Sequence, residues 1–387
     1  MKKVVFIAII SISLILVLSN FCGVKYVRAD QLSDEIDKQI DNIDVSELEN
    51  FFNSISEIPE NVKFSDVFYG ALKGEYEIDF NGVKDYIVKM FLSNVKRFLP
   101  NLISIVAISI FCLIMQSGKN NFSSDSTSQT VFWVCILSVF ALLVGEIIYL
   151  YNETKNTINL LVKLIEIMSP IMMTLTVACG GNLSASIYSP TMTFLSGTIA
   201  EVFSSTILPL TCTIAILSFI GSFSKTVKLG KIIEFINSLI KWIVGITLTV
   251  FAVFVTVQGI TAGSHDGIAL RVTKYALSNS IPLIGGFISS GMEVVLAGSL
   301  IIKNTVGLTG VFVIFYLILS PIIKILAFTL SLKFISGIIE IYSDTKIPDL
   351  CSITSKCVTN FIVVILGVGF AFLISILLTI FSVGAFL

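Results

Sequence analysis

Charged side chains are scarce in this chain. They make up 13% of its 387 residues, against about 25% in soluble domains. That scarcity excludes an ordinary soluble globule. A net charge of -1 excludes the broad basic field that nucleic acid requires. Histidine is almost absent: the single His265 cannot build a multi-histidine metal site, and no HExxH occurs. There is no GxxxxGK[ST] phosphate loop either, because Gly118-Lys119 and Gly230-Lys231 lack a glycine five residues earlier. The chain therefore shows no signature of an enzyme, and no cofactor or metal is expected. If it moves a solute, the energy comes from a partner or a gradient. The seven cysteines (22, 112, 135, 179, 212, 351, 357) stand mostly in apolar runs. Their closest spacing, Cys351 to Cys357, is too loose for a CxxC site, so they read as buried apolar residues.

What the chain has is apolar length. Hydrophobic residues make up 55%, and the mean hydropathy is +0.94. Several runs reach the ~20 residues that cross a bilayer. The expected fold is all-α: a polytopic α-helical membrane protein with membrane lipid as its surroundings. Apolar spans are readable near 98–116, 131–151, 158–179, 187–207, 208–223, 235–258, 281–302, 305–321, 322–341 and 358–386. Some are short or rich in Gly and Pro, which predicts about 7–9 crossings, with broken or re-entrant segments among them.

The first 29 residues read as a secretory signal peptide. Lys2 and Lys3 precede an apolar core from Val4 to Leu18, and Val27 and Ala29 suit small-residue cleavage. An uncleaved anchor is the alternative. Residues 30–95 form an acidic head. Fifteen of the 26 acids lie between Asp30 and Asp85, with only Lys38, Lys63, Lys73 and Lys84 against them. Apolar residues at 32, 36, 40, 43, 48, 51 and 55 predict an amphipathic helix that Pro59 ends. The head is expected outside the cytoplasm, and residues 96–387 form the membrane body. Lys225, Lys228 and Lys231 make a loop without acids, which belongs inside.

Two irregular stretches interrupt the body. "SPIMMTLTVACGGNLSASIYSP" carries Pro170, Gly180, Gly181 and Pro190. Proline removes a backbone donor, and glycine reaches conformations closed to other residues. The stretch predicts a helix break and tight re-entry, with Asn182, Ser184 and Ser186 free to bond the released backbone groups. "GITAGSHDGIALRVTKYALSNSIPLIGG" ends in Pro282, Gly285 and Gly286. Its middle reads as a short amphipathic helix, capped by Asp266, with Arg271 and Lys274 opposite Ile268 and Val272. An end aimed into a cavity is the alternative.

Charges inside apolar runs each cost about 2.5–3.5 kcal/mol on insertion scales. Glu201 shares a helix face with Gly197, Ser204 and Ser205. Glu293 sits near Ser289 and Ser290, and pairing of Glu293 with Lys303 is one reading. Lys303 and Lys324 also suit snorkelling to an interface.

The blocks "VQGITAGSHDGIALRVTKYALSNSIPLIGG", "AGSLIIKNTVGLTGV" and "SPIIKILAF" resemble the stage III sporulation protein AE family of endospore-forming bacteria. The resemblance covers roughly residues 95–385. His265 stands where relatives usually have a small residue. The resemblance implies a membrane subunit of a channel-like or secretion-like complex between mother cell and forespore, needed for late forespore development. It also implies partners: other proteins of the stage III sporulation operon, including a secretion-type ATPase and ring-forming proteins, and a forespore-side channel protein. Two other readings stand beside it. One is a secondary solute transporter using Glu201 or Glu293. The other is a non-conducting scaffold of the same complex.

Overall fold

A computed structural model describes residues 45–56, 58–59, 62–73, 80–117, 125–223, 229–280, 285–342 and 346–384. The signal segment, most of the amphipathic stripe of the head, the loop with Lys225 and Lys228, and Pro282 lie outside the described residues. Among the described residues the fold is all-α. Two short helices, α1 (Ser46–Ser54) and α2 (Phe64–Lys73), precede α3 (Phe80–Ser117) and α4 (Asp125–Ala178). Then come α5 (Asn182–Glu201), a π segment (Val202–Ile207), α6 (Leu208–Phe223), α7 (Gly230–Ser280), α8 (Gly285–Tyr342) and α9 (Ile347–Gly384).

Six helical stretches among the described residues are long and apolar enough to cross a membrane: Gly82–Met115, Gln129–Ala178, Asn182–Gly221, Gly230–Gln258, Val295–Tyr342 and Ile347–Phe381. Several runs that read as separate spans are single helices. Helix α4 joins 131–151 to 158–179, and α8 joins 281–302, 305–321 and 322–341. At 1.5 Å per residue, the 54 residues of α4 extend about 80 Å, far beyond the ~30 Å hydrocarbon core. The polar dip within α4 is not a turn. It is a section with a wet outer face, on which Asn152, Lys155, Asn156, Asn159, Lys163 and Glu166 are exposed while Leu161, Leu164 and Ile165 are buried. Toward the other end of the same helix, Val134, Leu137 and Ile148 are exposed, and neighbouring α3 exposes Ile103, Ile110, Phe111 and Ile114. That surface suits lipid. The bundle therefore has a lipid-suited section and a section with a polar outer surface.

A belt of polar contacts marks the junction. Asn101 donates to Glu146, and Arg97 lies 3.3 Å over the Tyr149 ring. One turn further along α4, Lys324 of α8 pairs with Glu153. The sequence context of Lys324 suits snorkelling; an interhelical partner holds it instead.

The core is built on α8 and α9. The 18-residue apolar windows of these helices are 61% and 67% buried, against 17% for α7, so they are shielded mainly by protein. Close approach needs glycine at the contacts. A Cβ at Gly367 would stand 2.6 Å from Cε1 of Phe203, at the π segment. The head packs onto this core. Phe52 stacks on Phe312 with ring centroids 6.4 Å apart, Tyr86 meets Tyr316 at 5.8 Å, and Lys163 lies 5.7 Å from the centre of the Phe51 ring. Leu48, Phe51, Phe52, Phe64, Val67 and Phe68 are buried in one cluster with the body. Helix α3 runs through residue 95 without a break.

Because Phe203 is fully buried, Gly367→Ala is expected to overpack the contact and cost about 1–3 kcal/mol. Gly197→Ala meets nothing within 4 Å and should leave stability unchanged or raise it. Thermal unfolding of the two variants in detergent compares them directly.

Candidate functional site

The end of α4 explains the first irregular stretch. Gly180 has φ 81°, a left-handed conformation that favours glycine. The Gly181 N–H donates to Thr176 O at 2.9 Å, and the Gly180 N–H donates to Val177 O at 2.8 Å. That pair of bonds is a Schellman motif, which satisfies the last carbonyls of a helix. The expected break and re-entry is thus at Gly180 and Gly181. The two prolines do not make it. Pro170 lies inside α4. The carbonyl it leaves without a helical partner belongs to Glu166, on the exposed side. Pro190 lies inside α5, not in its first turn, because the helix starts at Asn182, eight residues earlier.

The start of α5 has no cap of its own: Gly181 offers no side chain. The cap comes from 82 residues away. Asp266 Oδ2 accepts from the Ser184 N–H at 2.8 Å, and Oδ1 accepts from the Leu183 N–H at 3.0 Å. Asp266 is 4% exposed. A buried carboxylate on two donors at a helix N-terminus is a charge-assisted arrangement, favoured further by the helix dipole. Asp266 does not cap a short helix of its own, as its sequence context suggests. Helix α7 is continuous from Gly230 to Ser280, so its carboxylate is free to serve α5. The clasp ties the two irregular stretches together.

Lys303 lies close to this turn. It is 0% exposed, and its Nζ has no hydrogen-bond or ion-pair partner among the described residues. Burial pushes the Cys179 thiol up to about 11, while Lys303 acts on it in the opposite direction. Ser184 Oγ is likewise buried without a partner. Snorkelling therefore does not account for Lys303. Pairing with Glu293 within the chain is also excluded by the backbone: ten residues on one continuous α8 separate them by about 15 Å of rise. The Glu293 side chain itself lies outside the described residues. An unpaired buried ammonium costs several kcal/mol, which marks Lys303 as a functional candidate. Along the same packed helices the hydroxyls of Ser169, Thr176, Thr305, Thr309, Ser375 and Thr379 are buried; Thr176, Thr305, Thr309 and Ser375 donate to carbonyls one turn back in their own helices.

The remaining candidates are elsewhere. Glu201 is exposed at the start of the π segment and accepts from Ser205 Oγ. On the same outer face Thr193, Phe194, Thr198, Thr206, Pro209 and Thr213 are exposed. Gly197 packs against nothing within 4 Å, so this face is unused inside the chain. Arg271 is exposed, and the Lys274 side chain lies outside the described residues. Gly285 and Gly286 open α8. No group of three or more His, Cys, Asp or Glu that could hold a metal occurs among the described residues.

Comparison with known proteins matches the family described as Stage III sporulation protein AE over residues 62–383. That range includes Gly180, Glu201, Asp266 and Lys303. Stage III sporulation protein AE of Bacillus subtilis (strain 168) is 25% identical over 273 residues, covering 70% of this chain and 68% of the relative. No solved structure matches.

Removing the clasp should be measurable. Asp266→Ala leaves the buried Ser184 N–H and the part-buried Leu183 N–H unpaired and is expected to cost about 1–3 kcal/mol. Amide exchange over residues 183–190 should accelerate. Asp266→Asn keeps one acceptor and should lose less. Hydrogen exchange with mass spectrometry reads both variants, and unchanged protection in Asp266→Ala would disprove the clasp.

Proposed function

The chain belongs to the stage III sporulation protein AE family, and from that premise we propose that it is a membrane subunit of a sporulation-specific channel complex linking mother cell and forespore. It would sit in the mother-cell membrane around the forespore, with residues 30–95 outside the cytoplasm and a cleaved signal peptide. Its partners would be other stage III sporulation proteins, including a secretion-type ATPase and ring-forming proteins, and a forespore-side channel protein. The ATPase would supply the energy for which this chain has no phosphate loop.

The observation that carries a channel role is the face around Glu201. A stretch long and apolar enough to span presents Thr198, Glu201, Ser205, Thr206 and Thr213 outward. Thr193 on this face donates to Ser169 of α4, so the face lies level with the polar outer section of α4. Water in a shared conduit, or polar groups of a neighbouring subunit, would solvate it. The π segment at Val202–Ile207 supports the same reading, since π-bulges in helices are frequent at functional sites. A scaffold role draws on a different observation: the head is packed into the core through Phe51 and Phe52, so a partner bound to the head would be rigidly coupled to the body.

Two measurements test these readings. Thr198→Cys and Ser205→Cys, with native cysteines replaced, should react with a water-soluble thiol reagent much faster than Ile148→Cys in the lipid-suited section of α4. Equal labelling of all three sinks the wet-face reading. Affinity capture of the full chain from sporulating cells should recover an ATPase and a second membrane protein. Capture of neither contradicts the complex and leaves the secondary transporter in its place.

A further inference from the structure

The outer face of α3 carries an apolar stripe that the described residues leave uncovered. Val88, Leu92 and Leu99 are 48%, 54% and 45% exposed. Their spacing of four and seven residues lines them up on one side of the helix. Lys84, Lys89 and Lys96 flank the stripe and are exposed. None of the three has an ion-pair or hydrogen-bond partner among the described residues. From Lys84 to Leu99 the one acid is Asp85, and Arg97 is turned to the Tyr149 ring of α4. The stripe is therefore apolar with a basic border.

Water surrounds this stripe. Asn101 bonds Glu146, and one turn back Arg97 lies over Tyr149, so α3 and α4 run antiparallel. With equal rise per residue, residues 84–96 of α3 stand beside roughly 150–163 of α4. There the outer face of α4 exposes Asn152, Lys155, Asn156 and Asn159. Such a surface suits water, and an aliphatic stripe in water is stabilised by a protein cover.

We propose that residues 30–44 of the same chain dock as a helix along this face. The segment holds six acids and one lysine, Lys38, and Leu32, Ile36, Ile40 and Ile43 recur at helical spacing. Its charge is the complement of the lysine border. Its 15 residues rise about 22 Å as a helix, the length of α3 from Lys84 to Leu99. The place where it joins the described chain also fits. Val45 stands just before α1 in a non-helical conformation, with φ -97° and ψ 7°, which gives the chain a corner there. A run of rings links α1 to the start of α3: Phe52 on Phe312, Phe312 against Tyr316, and Tyr316 against Tyr86. The segment therefore meets α3 near Tyr86 and runs antiparallel to it. That register sets Asp44 by Lys84, Asp41 by Lys89 and Asp34 by Lys96, with Ile40 over Val88 and Ile36 over Leu92. The tether through Val45 holds the segment at an effective concentration of about millimolar, which favours its own chain over a second copy.

The full chain in detergent, with native cysteines replaced, provides the test. Ile36→Cys with Leu92→Cys should form a disulfide within one chain on brief copper–phenanthroline oxidation. Mass spectrometry of the linked peptides should give about tenfold more of it than of the pair Ile36→Cys and Ile246→Cys, on exposed α7. Lys89→Glu with Lys96→Glu should lower the yield about fivefold. Adding Asp34→Lys and Asp41→Lys should restore it. Both lysines are exposed, so these reversals leave the packed core untouched. Equal yields at Leu92 and Ile246 overturn the proposal. So does a yield that the lysine reversals leave unchanged. Linkage found only between chains, as a dimer on a non-reducing gel, also overturns it and assigns the face to a second copy.

Discussion

Helices α8 and α9 approach so closely that a Cβ at Gly369 would stand 2.0 Å from Ile318 Cδ1, and one at Gly307 would stand 2.4 Å from Ile380 Cγ1. The whole assembly leans on this contact. Helices α4, α5, α6 and α7 pack on α8, α9 or both. The π segment seats Phe203 against Gly367, and the head reaches α8 through Phe52 and Phe312. Lipid tails are as apolar as leucine, so burial alone gives little drive for such packing within a bilayer. Shape fit and the absence of side chains at the contacts supply it.

Helix α8 also carries two lysines in different surroundings. Lys324 finds Glu153 across the α8–α4 contact. Lys303, about six turns toward the start of α8, finds no such partner among the described residues. Near it, Asp266 closes the start of α5 from α7. The turn at Gly180 is therefore held from both sides: by its own backbone bonds to α4, and by a carboxylate from a distant helix. Such a turn has fixed geometry although it contains no charged residue of its own.

Glu201 and Asp266 show how environment separates two acids that look alike in sequence. Both stand in apolar surroundings on helical stretches. Asp266 is buried on two backbone donors. Glu201 faces outward and is held by Ser205, one turn away. The first acts as structure. The second stands on an exposed polar face, the surface on which the proposed role in a larger complex rests.

The all-α class follows from composition, and the turn at Gly180-Gly181 follows from glycine's freedom in φ. Both are local properties. The spans are harder to read. Hydropathy falls at Asn152–Lys155 and again around Lys303, and each fall looks like a boundary between crossings. In α4 the fall marks an exposed polar face on a continuing helix, and in α8 it marks a buried lysine; neither interrupts the backbone. Hydropathy measures how apolar a segment is, not whether lipid or protein covers it, so it does not separate buried α8 from the more exposed α4. Asp266 is recognisable as a cap, but its target is not, because spacing along the chain says nothing about contacts 82 residues apart. By itself the sequence determined membrane class, family and the helix break at Gly180-Gly181, since these depend on residue type. Only the tertiary structure decided which charges are paired, buried or left facing outward, because those depend on which helices meet.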